Sequence, residues 1–315
     1  MEKFILVAGG AGFIGSHLCR TLVEKGENVI CVDNLSTGNQ ENIAGLISSS
    51  RFCFLETDIT KPLWSDESIK EIYNLACPAS PIGYNKLPLE TLAVNSSGVW
   101  NLLDLAREKG AKFLQTSTSE VYGDPKEHPQ KESYWGHVNP IGPRSCYDEG
   151  KRFAESLIIN YKKKYGLETK IVRIFNTYGP QMDLADGRVV VNLLRQALTG
   201  ADLTVYGDGT QTRSFCYVSD MVDGLMRMMA SSESGPINLG NPGEFTIKEL
   251  ADLIIKLTDS KSKIVFPPLP TDDPTRRRPD ISLAVEKLGW EPKISLEEGL
   301  RLSLPWFLTK LNLPK

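Results

Sequence analysis

Residues 8–18 read AGGAGFIGSHL, and their neighbours decide what the glycines mean. Upstream, FILV at 4–7 is a short apolar run of strand character; downstream, SHLCRTLVEKG has the apolar spacing of a helix. The turn between them reads as Gly10-x-Gly12-x-x-Gly15 or as Gly9-x-x-Gly12-x-x-Gly15. Such glycines let the chain turn tightly, let the backbone approach a pyrophosphate and let helix pack on strand, while the helix N-terminus offers N–H donors. A glycine turn that binds nothing is the alternative. The second apolar run, NVICVD, favours the dinucleotide, because it closes on Asp33, 18 residues after Gly15, where a carboxylate can accept from a ribose hydroxyl. Phe13 and Ile14 inside the turn, and Asn34 after Asp33, join the expected cofactor set.

Beyond this turn, apolar runs of four to six residues (RFCFLETD, EIYNLACP, KFLQTSTS) alternate with amphipathic segments such as TLAVNSSGVWNLLDLAREKG. This alternation predicts an α/β fold, a doubly wound parallel sheet of Rossmann-like kind with helices on both faces. Past about residue 176 strands shorten and helices lengthen, which predicts a smaller C-terminal α/β substrate lobe. The expected partition is 1–175 for the dinucleotide-binding domain and 176–315 mainly for the lobe, with about 213–230 returning to the first domain. At 315 residues two lobes are natural, since single cores stop growing near ~250–300 residues.

Hydrophobic content of 41%, charged content of 24% and a net charge of −3 describe an ordinary globular chain. The one basic run, Arg276-Arg277-Arg278, is too short to track nucleic acid. Six cysteines (Cys19, Cys31, Cys53, Cys77, Cys146, Cys216) are scattered with no zinc spacing, so no metal is expected and a reducing compartment is. FILVAGG near Met1 is too short for a membrane span and lacks a signal-peptide pattern. Cytoplasmic residence is the expectation.

Asp33 also selects the cofactor. Its carboxylate would repel a 2′-phosphate, and no basic residue follows before Arg51, so NAD is favoured over NADP. In open α/β sheets ligands sit beyond the carboxyl ends of strands. There Asp58, with Ile59 beside it, is placed either to contact adenine or to form a turn; Ala76 to Ser80 can line the cofactor, and Thr116 to Glu120 end the fifth strand. Further on, SCYDEGK at 145–151 sets Tyr147 and Lys151 four apart on one helix face, with Asp148 and Glu149 reading as ordinary helix surface. Spacing alone leaves the pair either catalytic or incidental.

GGAGFIG, TSTSEVYG, YDEGK and RIFNTYGP, in this order, resemble the extended short-chain dehydrogenase/reductase family of nucleotide-sugar enzymes. Within it ACPASP, STSEVYGDP, HPQ, YWGHVNPIGPRSCYDEGKRFAE, DGRVV and DDPTRRRPD resemble the UDP-glucuronate decarboxylases, which make UDP-xylose; the likeness spans about residues 4–300. The resemblance implies that Tyr147 is the general base on the sugar C4 hydroxyl, that Lys151 lowers its pKa and holds the nicotinamide ribose, and that Thr118 polarises the same oxygen. A phenol titrates near ~10, so work near neutrality needs about three units of depression, roughly 4 kcal/mol. It further implies that Glu120 and Ser119 position the sugar ring and its carboxylate, and that Arg277 enters the substrate pocket. Asn176 and Arg213 would meet the nucleotide diphosphate, Tyr206 would join the substrate-binding set, Tyr84 would close over the sugar, and Arg188 is a further candidate for substrate contact. Arginine suits a diphosphate through its planar fork of donors.

Implied is oxidation at C4 by NAD, loss of CO2 from the resulting 4-keto acid, and re-reduction. Ser119 stands where 4,6-dehydratases carry an acid, and simple 4-epimerases usually lack the glutamate at 120. A 4-epimerase, a dehydratase or a non-catalytic NAD-binding regulator are the alternatives. Glu120 also reads as a structural carboxylate, and Arg276 as solvated surface, while Pro274 and Pro279 argue for a fixed loop. The chain departs from the decarboxylase pattern at Glu90 and Gln181, where cations are usual, and at Val191, where a serine is. Relatives dimerise through the helix after strand four and the tyrosine helix, and both have the apolar stripes for a homodimer.

Overall fold

The computed structural model describes residues 2–63, 65–268 and 276–314. In chain order the first half forms β1 (Lys3–Ala8), α1 (Phe13–Glu24), β2 (Asn28–Asp33), β3 (Phe52–Glu56), β4 (Ser68–Asn74), α2 (Pro81–Lys86), α3 (Pro88–Ala93), α4 (Val99–Lys109), β5 (Lys112–Thr118), α5 (Ser145–Tyr165) and β6 (Thr169–Ile174). The rest forms β7 (Thr177–Tyr178), α6 (Val189–Thr199), β8 (Leu203–Thr204), β9 (Thr212–Ser214), β10 (Cys216–Tyr217), α7 (Val218–Ala230), β11 (Ile237–Leu239), β12 (Glu244–Thr246), α8 (Ile247–Thr258), β13 (Ile264–Val265), β14 (Arg276–Arg277), α9 (Ser282–Leu288) and α10 (Leu296–Lys310).

Seven parallel strands make the central sheet in the order β11-β6-β5-β4-β1-β2-β3. Strand side chains alternate between its faces, as the pleat requires. Ile5, Val7, Val29, Cys31, Tyr73 and Leu114 join one core, towards α1 and α7. Leu6, Ala8, Ile30, Val32, Ile72 and Phe113 join the other, towards α4 and α5. Because both faces are buried, the strands are near-continuous apolar runs.

Strand order reverses between β1 and β4, which opens a crevice at their carboxyl ends. Ala8 pairs there with Val32 and Asn74, Asn74 with Gln115, and Thr118 with Ile174, so the residues following these strands emerge at one level. Over this edge lies a second layer. A three-stranded sheet, β12-β9-β14, pairs Arg277 with Arg213 across β14 and β9 and so carries two arginines to the crevice. α7 packs on α1 and β6, and β11 is the edge strand of the main sheet, so this stretch of the second half joins the first layer. Asp272, Asp273, Pro274 and Thr275 of the quoted arginine motif lie outside the described residues.

Candidate active site

A cavity of about 1200 Å³ runs along the carboxyl ends of the strands, larger than the ~300–1,000 Å³ typical of one small-molecule site. Gly9, Gly12, Phe13, Ile14 and Gly15 line one end. Gly9 has φ +76°, and a Cβ on Gly15 would lie 2.1 Å from the Gly9 carbonyl, so helix and turn touch backbone to backbone. A Cβ on Gly12 would meet only that carbonyl, at 3.2 Å; its other side is open. α1 starts with no capping side chain, leaving its N-terminal donors to the cavity. These features fit a dinucleotide pyrophosphate.

Asp33, 8% exposed, accepts from the Ala11 amide at 3.0 Å and the Leu35 amide at 2.9 Å. Burial pushes its carboxyl up, against those amides and that of Gly12. Its carboxylate therefore braces the glycine turn besides ending β2. Asn34 donates to Asp58 at 3.3 Å, and Asp58 accepts twice from Thr60 at 2.8 Å, forming the turn. Ile59 is packed under Gly98 in the core, and Ala76 donates its amide to Asn74 at 3.2 Å. Asp33, Asn34, Asp58, Ile59 and Ala76 are not among the residues lining the cavity, whereas Ser36 to Asn39 and Cys77 are.

At the centre stand Tyr147, Lys151 and Thr118, all lining the cavity. Lys151 donates to the Thr116 carbonyl at 3.0 Å, and its Nζ is 5.9 Å from the Tyr147 ring centroid. Tyr84 stacks on Tyr147 at 5.1 Å and 13°. Burial pushes the Tyr147 phenol well above its ordinary value; Cys77, Glu120 and Asp148 add to this, and a hydrogen bond with Thr118 opposes it. The protein by itself, Lys151 included, thus raises the phenol that the family resemblance expects to be lowered.

Beside this group, Glu120 sits in a cluster of arginines. Arg277, 1% exposed, donates to Glu120 at 2.8 and 3.4 Å, to Ser119 Oγ at 3.1 Å and to the Gly123 carbonyl at 3.0 Å. Arg144, at the start of α5, also pairs with Glu120. Burial opposes ionisation of Glu120, but Arg277, Arg144 and Arg213 outweigh it and hold the carboxyl below the ordinary glutamate range. Asp148 is 8% exposed, and burial together with the Glu120 charge pushes it up to about 7. It is therefore no helix-surface residue; the α5 face it shares with Arg144 is covered by the segment that follows β5. Arg276 is exposed, one residue from the buried Arg277, as strand alternation dictates.

The residues expected at the substrate converge on the same cavity. Tyr84, Asn176, Arg188, Tyr206, Arg213 and Arg277 all line it. Arg188 is held by Asp186 at 2.5 and 2.6 Å, with its guanidinium 5.9 Å from the Phe13 ring centroid. Tyr206 is 43% exposed. Among the described residues, no group of three His, Cys, Asp or Glu is placed to hold a metal ion, and no helix is long and apolar enough to cross a membrane.

Residues 5–240 match the NAD dependent epimerase/dehydratase family. The chain belongs to that family. Its relatives carry names of several activities. It is 55% identical to UDP-glucuronic acid decarboxylase 3 of Arabidopsis thaliana, over 99% of this chain and 91% of that protein. It is 52% identical to UDP-glucuronic acid decarboxylase 1 of Danio rerio, over 99% of this chain and 74% of that one. Its structure resembles the UDP-glucose 4-epimerase of Thermotoga maritima, crystallised with UDP-glucose, at TM-score 0.90 and 33% identity, covering 98% of this chain and 99% of the other. It also resembles the UDP-glucuronic acid 4-epimerase of Bacillus cereus, in complex with UDP-glucuronic acid and NAD, at TM-score 0.86 and 29% identity, covering 98% and 99%.

Two site residues of this epimerase/dehydratase chain escaped the sequence. Arg144 lies just ahead of α5, outside any helical period, and its one signal is its place three residues before Tyr147. Asp148 follows Tyr147, and only the fold covers it. The departures fall elsewhere: Glu90 is exposed on α3 and is not a cavity residue. Gln181 bonds Ser16 at 2.8 Å and the Asn42 carbonyl at 3.2 Å, on the α1 side of the cavity. Val191 is buried in the core with α6.

Proposed function

We propose that this protein converts UDP-glucuronate to UDP-xylose and CO2. The observation that carries the reading is the ion cluster at the end of β5. One carboxylate, Glu120, is met there by two arginines in the cavity that also holds Tyr147 and Lys151. Its surplus positive charge complements a uronate, and Ser119 offers no acid to expel a hydroxyl. Relatives 52–55% identical that are named as decarboxylases support the same reading.

NAD held along the glycine turn would supply the hydride acceptor for the sugar C4 and, once CO2 has left, the hydride donor. Tyr147 takes the C4 hydroxyl proton, Thr118 holds the same oxygen, and the Lys151 ammonium stabilises the phenolate against the upward push of burial. The C4 ketone is then β to the carboxylate, so the C5–carboxylate bond breaks with its electrons passing into an enolate. Arg277 and Arg144 orient that carboxylate; Glu120 and Ser119 orient the ring and a water that protonates C5. Tyr147 returns its proton to O4. The glycine turn, with Asp33 as its brace and as ribose acceptor, would hold the dinucleotide, and Asn34, Asp58, Ile59 and Ala76 would flank its adenine and nicotinamide ends. Arg213, Asn176, Arg188 and Tyr206 would take the UDP moiety, with Tyr84 over the sugar.

We further propose the division at about residue 175 into cofactor domain and substrate lobe, and a homodimer. Leu89, Leu92, Trp100 and Phe153 are 73, 41, 49 and 50% exposed on α3, α4 and α5, which supports pairing through these helices. All six cysteines are free thiols, in keeping with cytoplasmic residence. Incubation of the NAD-loaded protein with UDP-glucuronate should release CO2 and yield a UDP-pentose. A product that keeps the uronate carbon would overturn the proposal.

A further inference from the structure

Arg277 is the middle of three consecutive arginines, and its strand offers little to choose among them. β14 pairs with β9 over only two residues, Arg276 with Thr212 and Arg277 with Arg213. A slip of one residue in a strand turns every side chain to the other face. Such a slip would withdraw Arg277 from Glu120 and present Arg276 or Arg278, so the register needs a second constraint.

Gln130 provides it. This residue, 0% exposed, is the last of the HPQ motif. Its Oε1 accepts from the Arg278 amide at 2.8 Å, its amide donates to the Arg278 carbonyl at 2.9 Å, and its carbonyl accepts from the Asp280 amide at 2.8 Å. The Gln130 Nε2 donates to the Glu127 carbonyl at 2.8 Å, which leaves the side chain one orientation. Asn238, also 0% exposed, seats the pair by donating to the carbonyls of Gln130 at 3.0 Å and Asp280 at 3.1 Å. It accepts in turn from the Tyr122 hydroxyl at 2.8 Å, just past Glu120 on the chain. The contacts form a closed ring, from the Glu120 segment through Tyr122, Asn238, Gln130 and Arg278 back to Arg277 and Glu120. His128, at the head of the motif, reaches the far edge of the same small sheet, its Nε2 lying 3.1 Å from Glu244 on β12.

We infer that Gln130, seated by Asn238, is a positioning residue that sets the register of the arginine run, so that Arg277 and neither neighbour reaches Glu120 and the substrate carboxylate. This rests on the decarboxylase reading above. Gln130→Leu keeps the bulk and removes the acceptor for the Arg278 amide. In NAD-loaded protein it should lower CO2 release from UDP-glucuronate by at least about 100-fold, since an ångström of misplacement alone costs that much and a slip moves the side chain further. Affinity for UDP-xylose, which has no carboxylate for Arg277 to meet, should be unchanged in calorimetry. Adding Arg276→Gln and Arg278→Gln to Gln130→Leu leaves Arg277 as the one arginine able to fill the site, and should restore much of the loss. Asn238→Ala should give the same split between the two ligands, more weakly, and serves as the test if Gln130→Leu does not fold. Parallel losses on both ligands, or no recovery from the flanking substitutions, would overturn the inference. If the unaltered protein releases no CO2, the decarboxylase reading fails on its own. The affinity for UDP-glucuronate relative to UDP-xylose in the same variants then decides the register role.

Discussion

Replacing Arg277 by methionine removes a cation that is 1% exposed while keeping most of the volume. Breaking a buried ion pair from one side costs about 3–5 kcal/mol, because the partner stays charged in low dielectric. Arg144 remains on Glu120, so the lower end, about 3 kcal/mol, applies. With an unfolding entropy of roughly 2.1 cal/mol/K per residue over 315 residues, about 0.66 kcal/mol/K in all, Tm should fall by about 4–5 °C at neutral pH. The pH dependence is more telling. In the unaltered protein Glu120 is held below its ordinary value, so it contributes stability that is present above that value and lost as pH falls through the depressed one. Without Arg277 the carboxyl moves up against the pull of the remaining Arg144 and Arg213, so its ionisation contributes less stability as pH climbs. Asp148, at about 7 and also held down by Arg277, moves the same way. The Tm gap should therefore be widest near neutrality and close below about pH 4, the range of unperturbed carboxyls. Differential scanning calorimetry across that range reads it directly. A gap that stays constant, or widens in acid, would refute the charge reasoning.

Tyr147→Phe should cut CO2 release by about a thousandfold while leaving UDP-glucuronate affinity near its original value in calorimetry; unchanged turnover would end the catalytic reading of the pair. Burial pushes the Asp148 carboxyl up to about 7, above the ordinary aspartate value of about 3.9, so its ionisation removes stability as pH rises between the two. Asp148→Asn should gain on the unaltered protein by up to about 1.4 kcal/mol per pH unit across that window and level off above it, as measured by thermal unfolding. Glu90→Lys, on an exposed face of α3, should leave CO2 release within about twofold, since surface changes are usually worth under ~0.5 kcal/mol.

The doubly wound sheet was legible because local chemistry and fold agree: β-branched runs become buried strands, and the glycine turn lies where strand order reverses. The tyrosine and lysine of α5 were legible as a pair because helical spacing puts them on one face. What the sequence hid depends on contacts between distant segments. Asp148 reads as solvated because a helix period does not say which face a loop will cover. Gln130 lies in a loop with no period at all, yet it is fully buried by strands about a hundred residues further on. Three adjacent arginines carry no mark to distinguish the one that turns inward; that is settled by alternation and by a register set from outside the strand.

α5 explains how one backbone serves more than one outcome in this family. Tyr147 and Lys151 occupy one face and, in the proposed reaction, serve the oxidation at C4. Arg144 and Asp148, also four apart, lie about 100° round the helix from Tyr147 or nearer and meet Glu120. Arg144 and Lys151, seven residues apart, point nearly the same way, so the two pairs share one broad side of α5 and the rigid helix fixes their spacing. A 4-epimerase shares this backbone at TM-score 0.90 with only 33% of residues identical, so backbone shape cannot be what distinguishes the reactions. The choice must lie in side chains that leave the helix and sheet undisturbed, and Arg144, Ser119 and Arg277 are of that kind. In the proposed reaction each would meet the substrate on the Glu120 side, where the uronate carboxylate would be held.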